Sequence, residues 1–307
     1  MKNNIPIFFS IDDNYLNYFL VTIESLKENA DKNNHYSLYI LYTSLSSKTK
    51  KIIKKYQDKN YEISFVDMSE TIDKISDSLC TRDYYTKTTY FRLFISDMFK
   101  DIDKALYLDS DICVLNDISK LYNTDLGDNI VGAVCDQSVQ LIDEFKTYVT
   151  KCLGLDYKKY FNAGILVMNF KKMREISFSD KVVDLLSTYE FKVAQDQDIL
   201  NVICANKTKL INTSWNQMPL GKKNDNPNII HYNLIYKPWK MNDVMYEEYF
   251  WKYALKSGRV SHILEEKGEM FFDDISRFEN IMNGLKSMCV EEAYKKTNYY
   301  SLVFEGR

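Results

Sequence analysis

Glycine and proline are both scarce in this chain, with nine and four copies among 307 residues. No glycine follows the first strand-like run, where "SIDDNY" stands. Nucleotidyltransferases typically carry a glycine-rich phosphate loop at that place, so its absence counts against them. The six cysteines (Cys80, Cys113, Cys135, Cys152, Cys204, Cys289) form no C-x-x-C pair. That excludes a zinc-type framework and suits buried free thiols in a reducing compartment. A surplus of positive charge is also missing: the net charge is −3 and the pI about 5.8. A general nucleic-acid binder, which must neutralise many phosphates, is therefore not expected. The one basic run, "KTKKIIKK" (48–55), reads as a solvated helix face. No apolar stretch reaches the length of a membrane span. The N-terminal apolar run is too short for a signal peptide and is interrupted by Asp12 and Asp13. The expected location is the cytoplasm, with peripheral contact at the inner face of a membrane left open.

What is present is an aromatic-rich globular composition, with 24 Tyr, 17 Phe and 45% hydrophobic residues. "IPIFFSI" (5–11), "HYSLYILYT" (35–43) and "YEISFVDM" (61–68) read as strands. Between them lie "DDNYLNYFLVTIESLKENA", with Tyr15, Phe19, Ile23 and Leu26 on one helical face, and the basic helix. The resulting β-α-β-α-β order predicts an α/β fold with a parallel sheet and crossover helices. A helix is expected over 86–99 and strands over "KALYLD", "ICVL", "NIVGAVCD" (129–136) and "YFNAGILVMNF" (160–170). Further helices are expected over 178–191 and 194–206, with short strand-like pieces at "KLINTSWN" and "NIIHYN". After about residue 243 the pattern is helical, aromatic and charged. Residues 1–243 thus read as one domain and 244–307 as a C-terminal helical extension.

The stretch "KALYLDSDICVL" (104–115) sets two acids, Asp109 and Asp111, between apolar runs. Residues two apart on a strand face the same side, which puts the carboxylates together and turns Ser110 away. Buried carboxylates are costly unless a cation or a shared proton compensates. Open carboxylate sites hold divalent metals that bridge to phosphates. Spacing alone leaves such a site and a pair of solvated acids equally open. His231, in "NIIHYNLIYKPW", reads either as a structural histidine or as a nitrogen ligand that favours Mn2+ over Mg2+. Lys237 reads as a phosphate contact or as a surface lysine before a proline.

Asp12 and Asn14 fall at the end of the first strand, where open α/β sheets bind nucleotides; capping of the next helix competes for the same acid. Arg92, in "TTYFRL", shares a helix face with apolar residues, so a carboxylate or ligand oxygen is expected beside it. Asn162 and Gly164 in "FNAGI" read as a turn. "QDQD" (195–198) reads as a helix start that is also dense in partners for sugar hydroxyls.

Seven stretches in order, "FFSIDDNY", "TTYFRL", "KALYLDSDICV", "VGAVCD", "YFNAGILVMN", "QDQDILN" and "HYNLIYKPW", resemble the motifs of family 8 glycosyltransferases. This retaining, nucleotide-sugar-dependent group includes bacterial lipo-oligosaccharide galactosyltransferases and glycogenin. The resemblance covers about residues 5 to 240. It implies a GT-A fold, a Rossmann-like mixed sheet flanked by helices, with Asp109, Asp111 and His231 as Mn2+ ligands. It also implies that Asp12 and Asn14 hold uracil and ribose, that Tyr15 stacks on the base and that Lys237 meets the diphosphate. Arg92, Asn162, Asp196 and Gln197 would surround the donor sugar, with Asp136 at sugar or acceptor contacts. One departure stands out: bacterial members often carry glycine three residues after the metal histidine, where this chain has Leu234.

The activity so implied is transfer of a hexose from a UDP-sugar to a hydroxyl of a glycan, glycolipid or glycoprotein, with galactose favoured over glucose. A nucleotide-sugar hydrolase, a nucleotidyltransferase and an inactive sugar-binding scaffold are the alternatives. Asp196 is the nearest candidate for a covalent nucleophile. Gln197 is a poor nucleophile, which favours a front-face route with Gln197 steadying the oxocarbenium-like centre.

Overall fold

A computed structural model describes residues 3–73, 87–269 and 274–305. The N-terminal part alternates β1 (Asn4–Ser10), the helix Leu16–Asn29, β2 (His35–Tyr42), the helix Ser47–Lys54 and β3 (Tyr61–Asp67). These strands pair in parallel, as the β-α-β-α-β pattern requires. β4 (Lys104–Leu108) then pairs in parallel with the other side of β1. After it come β5 (Ile112–Val114), β6 (Val131–Cys135), β7 (Phe161–Asn169), β8 (Thr208–Leu210) and β9 (Ile229–His231). Among the described residues the main sheet runs β3-β2-β1-β4-β7-β6-β8, and β5 and β9 form a separate antiparallel ribbon. β7 is antiparallel to both β4 and β6, so the sheet is mixed.

Strand β1 shows why its sequence is apolar without a break. Ile7 and Phe9 face one core with Phe19, Ile23 and Leu26 of the following helix. Phe8 faces the opposite core, against Tyr39, Phe99 and Phe170. A central strand covered on both faces reads as a continuous hydrophobic run.

Three local expectations change. The single helix over 86–99 is instead a 3-10 helix, Lys87–Leu93, followed by a short α-turn, Ile95–Met98; residue 86 lies outside the described residues. Tyr90, Phe91, Arg92 and Leu93 are all buried, so no one-sided apolar stripe exists to sustain an α-helix. "KLINTSWN" is strand only at β8, and Thr213–Asn216 is a 3-10 turn capped by Asn212. Asn162 and Gly164 lie within β7 and not in a turn; the irregularity there is a register shift against β6 between Ala133 and Cys135. Cys113, Cys152 and Cys204 are buried free thiols, Cys289 is buried and Cys135 is half-buried, while Cys80 lies outside the described residues.

The helices Glu247–Lys256, Val260–Glu269 and Asp274–Tyr294 follow. Glu266 accepts hydrogen bonds from Asn17 and Tyr18. Lys267 donates to the carbonyls of Pro238 and Met241. Farther on, Glu292 accepts from Tyr189, and Tyr300 N–H donates to the Cys152 carbonyl. No described helix is long and apolar enough to cross a membrane.

Candidate active site

The chain runs outward from β1 to β3 and then returns to the other flank of β1 with β4. The crevice at the carboxyl ends of such strands is where open α/β sheets bind ligands. Here it is a cleft open to solvent. Its walls include Asp12, Tyr15, Arg92, Asp109, Asp111, Asp136, Asn162, Asp196, Gln197, His231 and Lys237, which the sequence had scattered over more than two hundred positions. Asn14 is exposed and is not among the lining residues.

Asp109 and Asp111 sit in the link between β4 and β5, not on one strand, yet they converge. Thr22 Oγ1 donates to the carbonyls of Ser110 and Ile112, and Ser110 Oγ donates to the Ser10 carbonyl. The Asp109 N–H donates to the Gly164 carbonyl and the Tyr232 N–H to the Asp111 carbonyl. β9 brings His231 opposite Ile112. One ligand atom from each of Asp109, Asp111 and His231 then lies within 4.8 Å of the others. His231 Nε2 is 3.6 Å from Asp109 Oδ2 and 3.4 Å from Asp111 Oδ1. Asp111 Oδ1 is buried without a hydrogen-bond partner, which is expensive unless a cation or donor meets it. The other oxygen, Oδ2, is paired with Lys237 Nζ. Burial would raise the Asp111 carboxyl, but the Lys237 ammonium beside it holds it well below the usual carboxylate range. Gly164 makes room for the cluster: a Cβ there would stand 2.3 Å from His231 Cε1 and 2.6 Å from Asp109 Oδ2.

Arg92 has the carboxylates its burial demanded. Its Nη2 is 3.0 Å from Asp109 Oδ1 and its Nε 3.1 Å from Asp196 Oδ2. Its guanidinium lies 4.2 Å from the centre of the Tyr107 ring. Burial opposes the charge, yet Asp109, Tyr107 and Asp196 keep Arg92 more firmly protonated than a free arginine. Asp196 is wholly enclosed, and burial pushes its carboxyl up to about 7 against the opposing pull of Arg92.

A set of neutral amides lines the far wall. Asp136 Oδ2 accepts from Asn162 Nδ2 and Gln197 Nε2, each at 3.1 Å. Its Oδ1 caps the helix Gln137–Leu141 through the N–H groups of Ser138 and Val139. Gln197 Oε1 accepts from the Ala163 N–H at 3.0 Å. On the opposite side Asp12 Oδ1 caps the turn Asp13–Tyr15 by accepting from the Tyr15 N–H. Tyr15 meets Tyr18 edge-on, and Tyr18 stacks on Trp239 at 4.2 Å. Enclosure pushes the Tyr15 hydroxyl up to about 12.

Leu234 lines the cleft with φ of +52°. The left-handed backbone that a glycine would adopt freely is thus present, imposed on a leucine. Asn216 and Asn233, both buried, were not singled out from sequence. Asn216 Oδ1 lies 3.0 Å from His231 Nδ1. Asn233 lines the cleft with its Oδ1 unpartnered. No spacing rule marks either one, and only burial of a polar side chain beside the cleft identifies them.

Comparison with known proteins now fits the geometry. The family model for glycosyl transferase family 8 matches residues 6–243. The chain belongs to glycosyltransferase family 8. A Haemophilus influenzae protein named as a glycosyltransferase is 32% identical over 220 residues, covering 71% of this chain and 64% of that protein. Among solved structures, the bifunctional glycosyltransferase WbbM superposes with a TM-score of 0.75 at 25% identity, covering 87% of this chain and 52% of WbbM. Galactosyltransferase LgtC, solved with donor and acceptor sugar analogues, gives 0.70 at 26% identity, covering 82% of this chain and 96% of LgtC. The matched stretch therefore spans under two thirds of the Haemophilus protein and about half of WbbM. The mixed sheet flanked by helices is the GT-A architecture expected from the motifs.

Proposed function

We propose that this protein transfers a hexose from a UDP-sugar to an acceptor hydroxyl with retention of configuration, using a divalent cation with Mn2+ preferred. The observation that carries the reading is the cluster of Asp109, Asp111 and His231. With the His231 proton on Nδ1, three lone pairs converge on one point, and Asp111 Oδ1 has no hydrogen bond there. The mixed N/O donor set suits Mn2+ better than Mg2+. When bound, the ion supplies charge neutralisation for the departing diphosphate. Lys237, buried beside Asp111, is assigned to the same phosphates. Tyr15 offers a ring face for the base, Asp12 its second carboxylate oxygen for uracil, and Asn14 is assigned to the ribose at the rim.

Arg92, Asp136, Asn162, Asp196 and Gln197 are assigned to the donor sugar. Asp196 is committed to Arg92, and burial favours its neutral, protonated form, which disfavours it as a covalent nucleophile. Gln197 presents its amide from the same wall as Asn162. A front-face displacement, in which the leaving diphosphate takes the acceptor proton and Gln197 steadies the positive anomeric centre, fits these groups better. The donor favoured is UDP-galactose, supported by the likeness to LgtC, with UDP-glucose next. The acceptor is a glycan, glycolipid or glycoprotein hydroxyl, reached by a protein working in the cytoplasm or at the inner membrane face. Residues 1–243 are assigned as the catalytic domain, with 244–307 as its helical extension. The test is UDP release from a panel of UDP-sugars without acceptor. Faster turnover of UDP-galactose than of UDP-glucose supports the donor assignment, and the reverse order rejects it. No turnover of any UDP-sugar with Mn2+ present rejects the transferase reading.

A further inference from the structure

We infer that Asn216 is a positioning residue: it fixes which imidazole nitrogen of His231 faces the two acids, and it ties that cluster to the donor-sugar wall. Its side chain is fully buried at the end of the turn Thr213–Asn216. It bonds on both sides, with Oδ1 3.0 Å from His231 Nδ1 and Nδ2 2.9 Å from Asn162 Oδ1. Its own main-chain carbonyl accepts from Gln137 Nε2, which holds the turn against the wall.

The direction of this chain of bonds follows from groups that have no choice of role. The Asp136 carboxylate only accepts, so the amide that faces it at 3.1 Å is the NH2 of Asn162. The Gly164 N–H only donates, and it meets the other end of the same side chain at 3.0 Å, which makes that end Asn162 Oδ1. Asn162 Oδ1 therefore takes a second donor, the NH2 of Asn216, and leaves Asn216 Oδ1 facing His231. An oxygen there accepts, so His231 Nδ1 carries the proton. The lone pair then sits on Nε2, the nitrogen that points at Asp109 and Asp111. Swapping the amide ends of Asn216 would set its oxygen against Asn162 Oδ1, a repulsive contact between two buried acceptors.

The polarity argument stands on these bonds alone, while its consequence rests on the metal reading proposed above. Partners of this kind orient a ligating histidine and commonly change metal affinity by about 10–100-fold when lost. The same amide joins the cation cluster to Asn162, and through it to Asp136 and Gln197, so a shift at one end is felt at the other.

The chain has three histidines, His35, His231 and His262, which makes the test direct. Metal-free protein labelled with 15N at histidine is examined by two-bond 1H–15N correlation at alkaline pH, with His231→Ala to assign the signal. A single Nδ1–H tautomer for His231 is expected, against the mixed pattern of solvent-exposed histidines. Asn216→Leu should lose that tautomer preference and weaken Mn2+ binding, measured by calorimetry, about 10–100-fold. Asn216→Asp keeps an acceptor for Nδ1–H, so the tautomer should be retained while the link to Asn162 is lost and the donor KM rises. An Nε2–H tautomer in the parent protein overturns the inference, whether or not any variant folds. So does a folded Asn216→Leu with the parental tautomer and Mn2+ affinity. A parent that shows the Nδ1–H signal but binds no Mn2+ supports the placement of Asn216 and sinks the metal reading instead.

Discussion

Alanine at position 164 probes how closely the cluster is built around bare backbone. Its Cβ would lie 2.3 Å from His231 Cε1, whereas ordinary contact begins at 3.4 Å, so something must retreat by about an ångström to restore it. The imidazole has little freedom to do so. His231 is held in the β5–β9 ribbon, its N–H donates to the Gln217 carbonyl, and Nδ1 is engaged by Asn216. The backbone of β7 is equally tied, since the Gly164 carbonyl accepts from Asp109 and its N–H donates to Asn162. Overpacking of a closed site costs about 1–3 kcal/mol, and an ångström of displacement in a reacting geometry costs roughly 100-fold in rate. Gly164→Ala is therefore expected to melt a few degrees below the parent, to bind Mn2+ more weakly and to release UDP about 100-fold more slowly. Thermal melting, calorimetry and UDP release check the three effects. A variant with parental Mn2+ affinity and turnover would refute the close approach of His231 and Asp109 to this backbone.

Other outcomes follow from single residues. Leu234 stands at φ +52°, a strain of about 1–2 kcal/mol for an L residue. Leu234→Gly relieves it, offset by lost packing and a freer unfolded chain, so it should melt close to the parent while Leu234→Val falls below both. Asp196 titrates near 7 in the fold against an ordinary 3.8. Between those values the folded state holds the extra proton, so the metal-free protein should lose stability as pH rises from about 4 to 7, by on the order of 4 kcal/mol. Chemical denaturation across that range should show the slope, and Asp196→Asn should flatten it and be the more stable form at pH 8; a parental slope in that variant would count against the burial of this carboxyl. Glu266 accepts from Asn17 and Tyr18 at 2.8 and 2.6 Å, and Tyr18 braces Tyr15 and Trp239. Glu266→Ala should destabilise by about 1–3 kcal/mol and weaken UDP binding several-fold in calorimetry with kcat little changed.

Much of this was written in the chain. The continuous apolar run of β1 and the alternation of strands with amphipathic helices specify a parallel sheet, because burial on two faces leaves that pattern. The need of a buried arginine for carboxylates anticipated the pairing of Arg92, though not that Asp109 and Asp196 would share it. Local reading failed where tertiary packing overrode it. "TTYFRL" is buried on all sides from Tyr90 to Leu93 and tightens into a 3-10 helix, and "FNAGI" lies flat in β7, with its one side-chain amide, Asn162, taken up by Asp136, Gln197 and Asn216. Asn216 could not be seen at all: it acts through His231, fifteen positions away, and becomes recognisable only when the fold closes both bonds around it. Leu234 reads as a departure from a glycine in sequence, and the backbone proves to be glycine-like all the same.

The most direct test of the metal-held diphosphate is UDP release from UDP-galactose by protein stripped with chelator, then titrated with Mn2+, beside Asp111→Asn. Stripped protein should be inactive, Mn2+ should restore turnover to the parent, and the folded Asp111→Asn should stay inactive at every Mn2+ concentration. Full turnover in excess chelator, or recovery of Asp111→Asn by Mn2+, would contradict the assignment of Asp109, Asp111 and His231 as the site of the cation.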